Sequence, residues 1–224
     1  VTPPAGFTNY IGFTSLAATS LGSTDYFILR QKIEGYNTAD LNFGSASAKT
    51  VTLSFQVYSS LTGTFGGAIT NSAENRCYPF SYTISSANTW EQKSITIAGD
   101  TTGTWLTTNG TGIELSIGLG VGTTYSGTAG AWTGSTNVSV TGAVNVAGTN
   151  GATFYITGVQ LEVGSSATGF EYRLYNQELG ACQRYYFRLT GTQAFGNGFA
   201  LDSTNYMTIV TFPTTMRSAP TALE

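Results

Sequence analysis

The chain has 224 residues, enough for one large domain or one domain plus a smaller piece. Only 9% of them are Asp, Glu, Lys or Arg, against about 25% in average soluble domains, and the net charge is −3. Nine scattered cations leave no electrostatic footprint for nucleic acid, and no apolar run approaches the roughly 20 residues of a membrane helix. The absence of histidine removes Ser-His-Asp catalysis and most zinc sites.

The 28 glycines, with abundant Ser and Thr, make the surface one of hydroxyls and amides, and 13% aromatic residues argue against disorder. The opening "VTPPAGFTNY" has neither the basic start nor the apolar stretch of a signal peptide. Val1 without Met, and the abrupt "SAPTALE", lead us to expect a piece cut from a longer polypeptide. Cys77 and Cys182 make no disulfide framework; two buried thiols are the ordinary reading, and a single bridge stays open.

Period-2 alternation dominates the pass along the chain. "YFILRQKIEG" opens a sheet with Phe27, Leu29 and Ile33 on one side. "TVTLSFQVYSS" puts Val51, Leu53, Phe55 and Val57 on one face and Thr52, Ser54, Gln56 and Tyr58 on the other. "YPFSYTISS" and "KSITIAG" give two short strands, and "GIELSIGLGVG" places Ile113, Leu115, Ile117, Leu119 and Val121 inside. "STNVSVTGAVNV" is a weaker strand candidate. In "TFYITGVQLEVG", Phe154 and Ile156 have one parity and Val159, Leu161 and Val163 the other, so a bulge at Thr157-Gly158 is expected to bring both sets to one face. "GSSATGFEYR" reads as a loop. "NQELGACQRYY" reads as a short helix with Asn176 as N-cap, Glu178 in the first turn, and Leu179, Cys182 and Tyr186 on one face. "RYYFRLTG" and "NYMTIVTFP" return to strand. The expectation is an all-β chain: a jelly-roll-like antiparallel β-sandwich over residues 1–175, then a short helix and the start of a second small β unit over 176–224.

"ITGVQLEVG", "ATGFEYR", "ELGACQRYY" and "FPTTMRSAPT" together resemble a segment of tail-fibre and other virion structural proteins of tailed bacteriophages. The resemblance covers about Tyr26 to Thr221; the family usually carries a residue such as proline where Gly169 stands. It implies a sandwich similar to carbohydrate-binding modules in an external virion appendage, often homotrimeric, bound to other virion proteins and able to touch host surface polysaccharide. It implies no catalytic activity, nucleic-acid binding or membrane insertion. Modules of that type often hold a structural calcium near their terminal strands. Glu162, with Glu34 or Asp25, would be the place, but no metal or cofactor is expected.

Three chemistries compete for the polar residues. A hydrolase needs two convergent carboxylates, and Glu91, Asp100, Glu114, Glu162 and Glu171 lie in or beside strands, where structural roles are the ordinary ones. Sugar recognition needs exposed rings beside hydrogen-bonding side chains. Trp132, with Tyr125 near it in the glycine-rich "GTTYSGTAGAWTGSTN", is the glycan-binding candidate; a plug over the sandwich end and a contact with a neighbouring subunit are open alternatives. Trp90 and Trp105 flank strands and read as core or edge residues. Glu171, Arg173, Glu178, Arg184 and Arg188 gather most of the local charge, and Arg173, Glu178 and Arg184 with Tyr185 and Tyr186 read as a joint between domains and between subunits. A shaft or capsid-decoration role without any ligand is the alternative function.

Overall fold

The structure is a computed structural model that describes residues 1–188, 198–209 and 211–220. The chain divides into two compact units, Val1–Phe170 and Glu171–Glu224.

The first unit is an all-β sandwich of two four-stranded antiparallel sheets. Its strands in chain order are β1 (Ile11–Thr14), β2 (Tyr26–Glu34), β3 (Val51–Ser59), β4 (Gly63–Thr70), β5 (Cys77–Ile84), β6 (Glu91–Ile97), β7 (Thr111–Val121), the two-residue β8 (Ser126–Gly127) and β9 (Ser139–Val140), and β10 (Thr153–Val163). Sheet A has the order β1-β10-β3-β6 and sheet B the order β2-β7-β4-β5. Between them lies a core in which Val51, Phe55, Val57, Phe65, Ile69, Phe80, Ile113 and Phe154 are buried. The alternation that announced β3 and β7 is the alternation that fills this core.

The expected bulge is present. β10 pairs regularly with β3 up to Thr157↔Gln56 and resumes at Gln160↔Ser54, so two residues stand opposite Phe55. Gly158 at φ 60 absorbs the extra residue. Leu161 then pairs with Leu53 as Ile156 pairs with Val57, on one face. Val159, inside the bulge, is exposed instead of sharing that face. A second irregularity lies between Phe27 and Ile28 of β2, opposite Gly120 and Gly118. It turns Phe27 onto the outer face with Gly120, so Phe27 leaves the side it was expected to share with Leu29 and Ile33.

The centre of sheet B is covered on its outer side, while Lys32 of β2 and Ser81 and Thr83 of β5 are exposed. The outward positions of β7 are Gly112, Glu114, Ser116, Gly118 and Gly120, all buried. The segment 122–147 returns over the Gly118 and Gly120 end, while Gly112 lies under Gly35, Thr38 and Leu106. A Cβ on Gly118 would stand 2.6 Å from Ser139 Oγ, and one on Gly120 would stand 2.4 Å from Asn145 Oδ1. Further along, Arg30 reaches Glu114 at 3.0 Å and Glu74 at 2.8 Å, while Lys32 lies 3.1 Å from Glu114. The stretch 130–133 runs beside β5, with Gly130 N–H donating to Pro79 O and Thr133 exchanging backbone bonds with Cys77, so it covers that edge. Cys77 is buried there; Cys182 is exposed, which corrects the expectation that both thiols are buried.

The second unit holds the helix α1 (Tyr175–Gln183) and a hairpin of β11 (Gly198–Ala200) and β12 (Tyr206–Thr208). The helix starts one residue before the expected cap: Leu174 is extended at ψ 141, and its carbonyl accepts from the amides of Gln177 and Glu178. Asn176 is therefore inside the first turn. Leu179, Cys182 and Tyr186 are all exposed, and α1 has no buried residue. "RYYFRLTG" has no strand over its described part, and its last three residues lie outside the described ones.

The close approach at β7 gives a stability test. Gly118→Ala should lower the unfolding free energy by about 1–3 kcal/mol, as overpacking of a closed layer does. The shift in the urea midpoint measures it, and an unchanged midpoint would show that the 138–147 segment yields freely.

Candidate functional site: the outer face of sheet A

With the core side of both sheets filled and the centre of sheet B covered, the outer face of sheet A carries the candidate site. Register assigns its residues. Tyr155 of β10 stands opposite Tyr58 of β3, and Gly12 of β1 stands opposite Tyr155. Gly12 leaves room for the Tyr155 ring, because a Cβ there would meet it at 2.7 Å. One step along the strands come Thr157, Gln56 and Gln92 in a row, then Gln160, Ser54 and Ser94. Trp90 precedes β6 beside Tyr58.

Four rings close a circuit on this face. Centroid distances are 5.5 Å for Tyr58–Tyr155, 5.6 Å for Tyr58–Trp90, 5.7 Å for Trp90–Tyr10 and 5.0 Å for Tyr10–Tyr155. All four are half-buried, and Gln92, Ser94 and Thr96 beside them are exposed. Tyr58 OH donates to Asn88 Oδ1 at 3.3 Å. The face is nearly uncharged. Its carboxylate, Glu162, accepts from the Thr168 hydroxyl at 2.7 Å, the Thr168 amide at 2.9 Å and the Gln160 amide at 3.0 Å. Those bonds, the Thr168 hydroxyl first, hold its pKa below the usual carboxylate range.

Trp132 sits elsewhere. Its ring packs edge-on to Trp105 at 5.4 Å, Tyr78 at 5.3 Å and Phe43 at 5.7 Å, and its indole N–H donates to the Ala98 carbonyl at 2.7 Å. This cluster lies against the core, which is the arrangement of a plug. Tyr125 is in a different ring pair, with Tyr26 at 5.3 Å. The structure therefore does not bring Trp132 and Tyr125 into one ring cluster. The residues that reasoning from sequence missed are Tyr10, Trp90 and Tyr155; the outward parity of Gln56 and Tyr58 was legible in β3.

The candidate acids are spoken for by neighbours. Asp100 is held by Arg76 through Nε at 2.8 Å and NH2 at 2.7 Å, and it also accepts from Thr102. Burial alone would push its carboxyl up, but the Arg76 and Thr102 bonds outweigh that and hold it low. Glu91 accepts from Lys93 and from the amides of Ser85 and Ser86. Glu114 belongs to the Arg30 and Lys32 cluster. Among the described residues no three of His, Cys, Asp and Glu gather closely enough for a metal ion; Asp25 accepts from the amide of Gly22. In the second unit Arg173 pairs with Glu178 at 3.0 Å, Arg184 donates to Thr215 O at 3.0 Å, and Tyr185 and Tyr186 are exposed.

No protein-family model matches the chain, and no curated protein matches it. Among solved structures, the N-terminal cellulose-binding domain of Cellulomonas fimi β-1,4-glucanase C is similar at 13% identity, with 71% of this chain and 82% of that one covered and a TM-score of 0.33. That similarity is too slight to carry a function across, and the likeness to phage virion proteins rests on the quoted motifs alone.

Two outcomes follow. Trp132→Ala should cost about 3 kcal/mol of stability, as loss of a packed aromatic does, read from chemical denaturation. Asp100 has a lowered folded pKa, so its contribution is present above its unfolded value of about 3.9 and fades as pH falls through the folded value. The stability gap between wild type and Asp100→Asn should therefore be about 3 kcal/mol near neutrality and shrink below about pH 4. A gap independent of pH would contradict this.

Proposed function

We infer that this chain is a non-enzymatic bacteriophage virion protein, of a tail fibre or other external appendage, that contacts neutral host surface glycans through the outer face of sheet A. One observation carries the reading: Tyr58, Trp90 and Tyr155 present half-exposed rings beside Gln56 and Gln92 on a nearly uncharged sheet face. Sugar rings offer flat C–H faces to such aromatics, and their hydroxyls pair with amides. A shallow site of this kind binds weakly, and several copies on one virion raise the avidity. The second unit supplies the joint: Arg173, Glu178 and Arg184 fix its geometry, and exposed Tyr185 and Tyr186 meet other virion proteins or further copies in a homotrimer. The virion assignment rests on the motif resemblance.

A purely structural role, as shaft segment or capsid decoration, is the second reading. The packing of Trp132 into the sandwich end favours it, because that ring is then no platform.

Affinity electrophoresis separates the two, with the neutral polysaccharides dextran, β-glucan and galactomannan and the anionic alginate in the gel. Wild type should be retarded by a neutral polysaccharide, and Trp90→Ala, folded by circular dichroism, should bind at least tenfold more weakly, the effect of about 1.4 kcal/mol. Equal retardation of the two would remove the site from this face. A chain retarded by none of the four, with or without the Tyr10 ring, leaves the structural role as the better account.

A further inference from the structure

The first ten residues cross the outer face of sheet A. Their hold begins at the β6 edge, where Trp90 Nε1 donates to the Thr2 carbonyl at 2.8 Å. Phe7 lies over the bulge of β10, so closely that a Cβ on Gly158 would stand 2.5 Å from its ring, and Phe7 meets Phe170 edge-on at 5.0 Å. The Thr157 hydroxyl then donates to the Asn9 carbonyl at 2.8 Å. Tyr10 ends the crossing with its ring against both Tyr155 and Trp90. The segment joins no sheet ladder until Ile11 pairs with Ile156. It contains Pro3 and Pro4, which have no amide hydrogen to give to a ladder.

Resting on the glycan reading above, we propose that Val1–Tyr10 is a displaceable strap over the aromatic face, and that a neutral polysaccharide competes with Tyr10 and the Thr2 carbonyl for Tyr155 and Trp90. The strap uses the groups a sugar would use: two aromatic rings and an indole N–H. Opening it frees Trp90 Nε1 and the Thr157 hydroxyl on the face itself, where a ligand hydroxyl can satisfy them. Closure lowers the apparent affinity by the fraction of molecules that are open. The device makes a single copy bind poorly while leaving the site complete.

The test uses the full chain and the polysaccharide panel already named. Tyr10→Ala removes two ring contacts from the strap and none of the three rings of the sheet, so it should bind a neutral polysaccharide about tenfold more tightly than wild type. Phe7→Ala, which loosens the strap at the bulge, should act in the same direction. Tyr10→Ala combined with Trp90→Ala should not bind. In wild type with a saturating amount of the retarding polysaccharide, amide hydrogen exchange over residues 1–10 should speed up. If wild type binds but Tyr10→Ala and Phe7→Ala bind no tighter, or if exchange of the segment slows, Tyr10 is part of the platform: the strap fails and the glycan reading stands. If no polysaccharide retards wild type or either variant, both fail together.

Discussion

The rest of the molecule depends on the double burial of β7. Its inward side chains, Ile113 to Leu119, build the core, while its outward side is roofed by the 122–147 segment at Gly118 and Gly120 and by Gly35, Thr38 and Leu106 at Gly112. A strand buried on both faces must either carry apolar residues outward or have almost no side chain there. This one uses Gly112, Gly118 and Gly120, and seats its outward carboxylate, Glu114, between Arg30 and Lys32. The glycines let backbone and short side chains of the roof come within van der Waals distance, which a methyl group would prevent. Because the centre of sheet B is covered in this way, the two sheets are not equivalent.

A chain with so few charges shows what each is for. Glu114, Glu74, Arg30 and Lys32 tie the β4–β5 turn to β2 and β7. Arg76 and Asp100 tie the start of β5 to the turn that carries Trp105. Lys93 and Glu91 lie on edge strand β6, where charge discourages pairing with another sheet. Buried pairs of this kind set geometry more than they add stability, since desolvation offsets most of the attraction. That division of labour leaves the sheet A face with Glu162 among otherwise neutral groups, and such a face selects ligands chiefly by shape and hydrogen bonding.

Strands with strict alternation were legible, and so was the bulge, because a parity change in an apolar strand has few other solutions. β4 was not. "GTFGGAIT" alternates poorly because Gly66 and Gly67 answer to contacts from Ser139 and Phe80 that lie far away in sequence. β1, four residues long, carries too little pattern to stand out. Phe27 was misplaced because the shift that turns it outward lies in the pairing with β7, and nothing in "YFILRQKIEG" marks it. The tryptophans show the limit most clearly. Trp132 in a glycine-rich loop reads as plug, platform or subunit contact, and Trp90 beside a strand as core or edge; packing puts Trp132 among Phe43, Tyr78 and Trp105, and Trp90 between Tyr10 and Tyr58. What decides is whether the loop reaches the core, and the pairing of residues 130–133 with β5 draws Trp132 inward.

The aromatic circuit on sheet A can be explained twice, and the two explanations are coupled. As structure, Tyr10, Tyr58, Trp90 and Tyr155 are a small satellite core that fastens the first ten residues to the sandwich. As recognition, the three rings of the sheet are a platform and the fourth is its occupant. Ring pairs are worth about 0.5–1.5 kcal/mol each beyond the area they bury, so the two contacts of Tyr10 add about 1–3 kcal/mol to the burial of its ring. Exposed Gln92 and Ser94 lie beside the circuit, on the polar outward side that strand alternation gives β6.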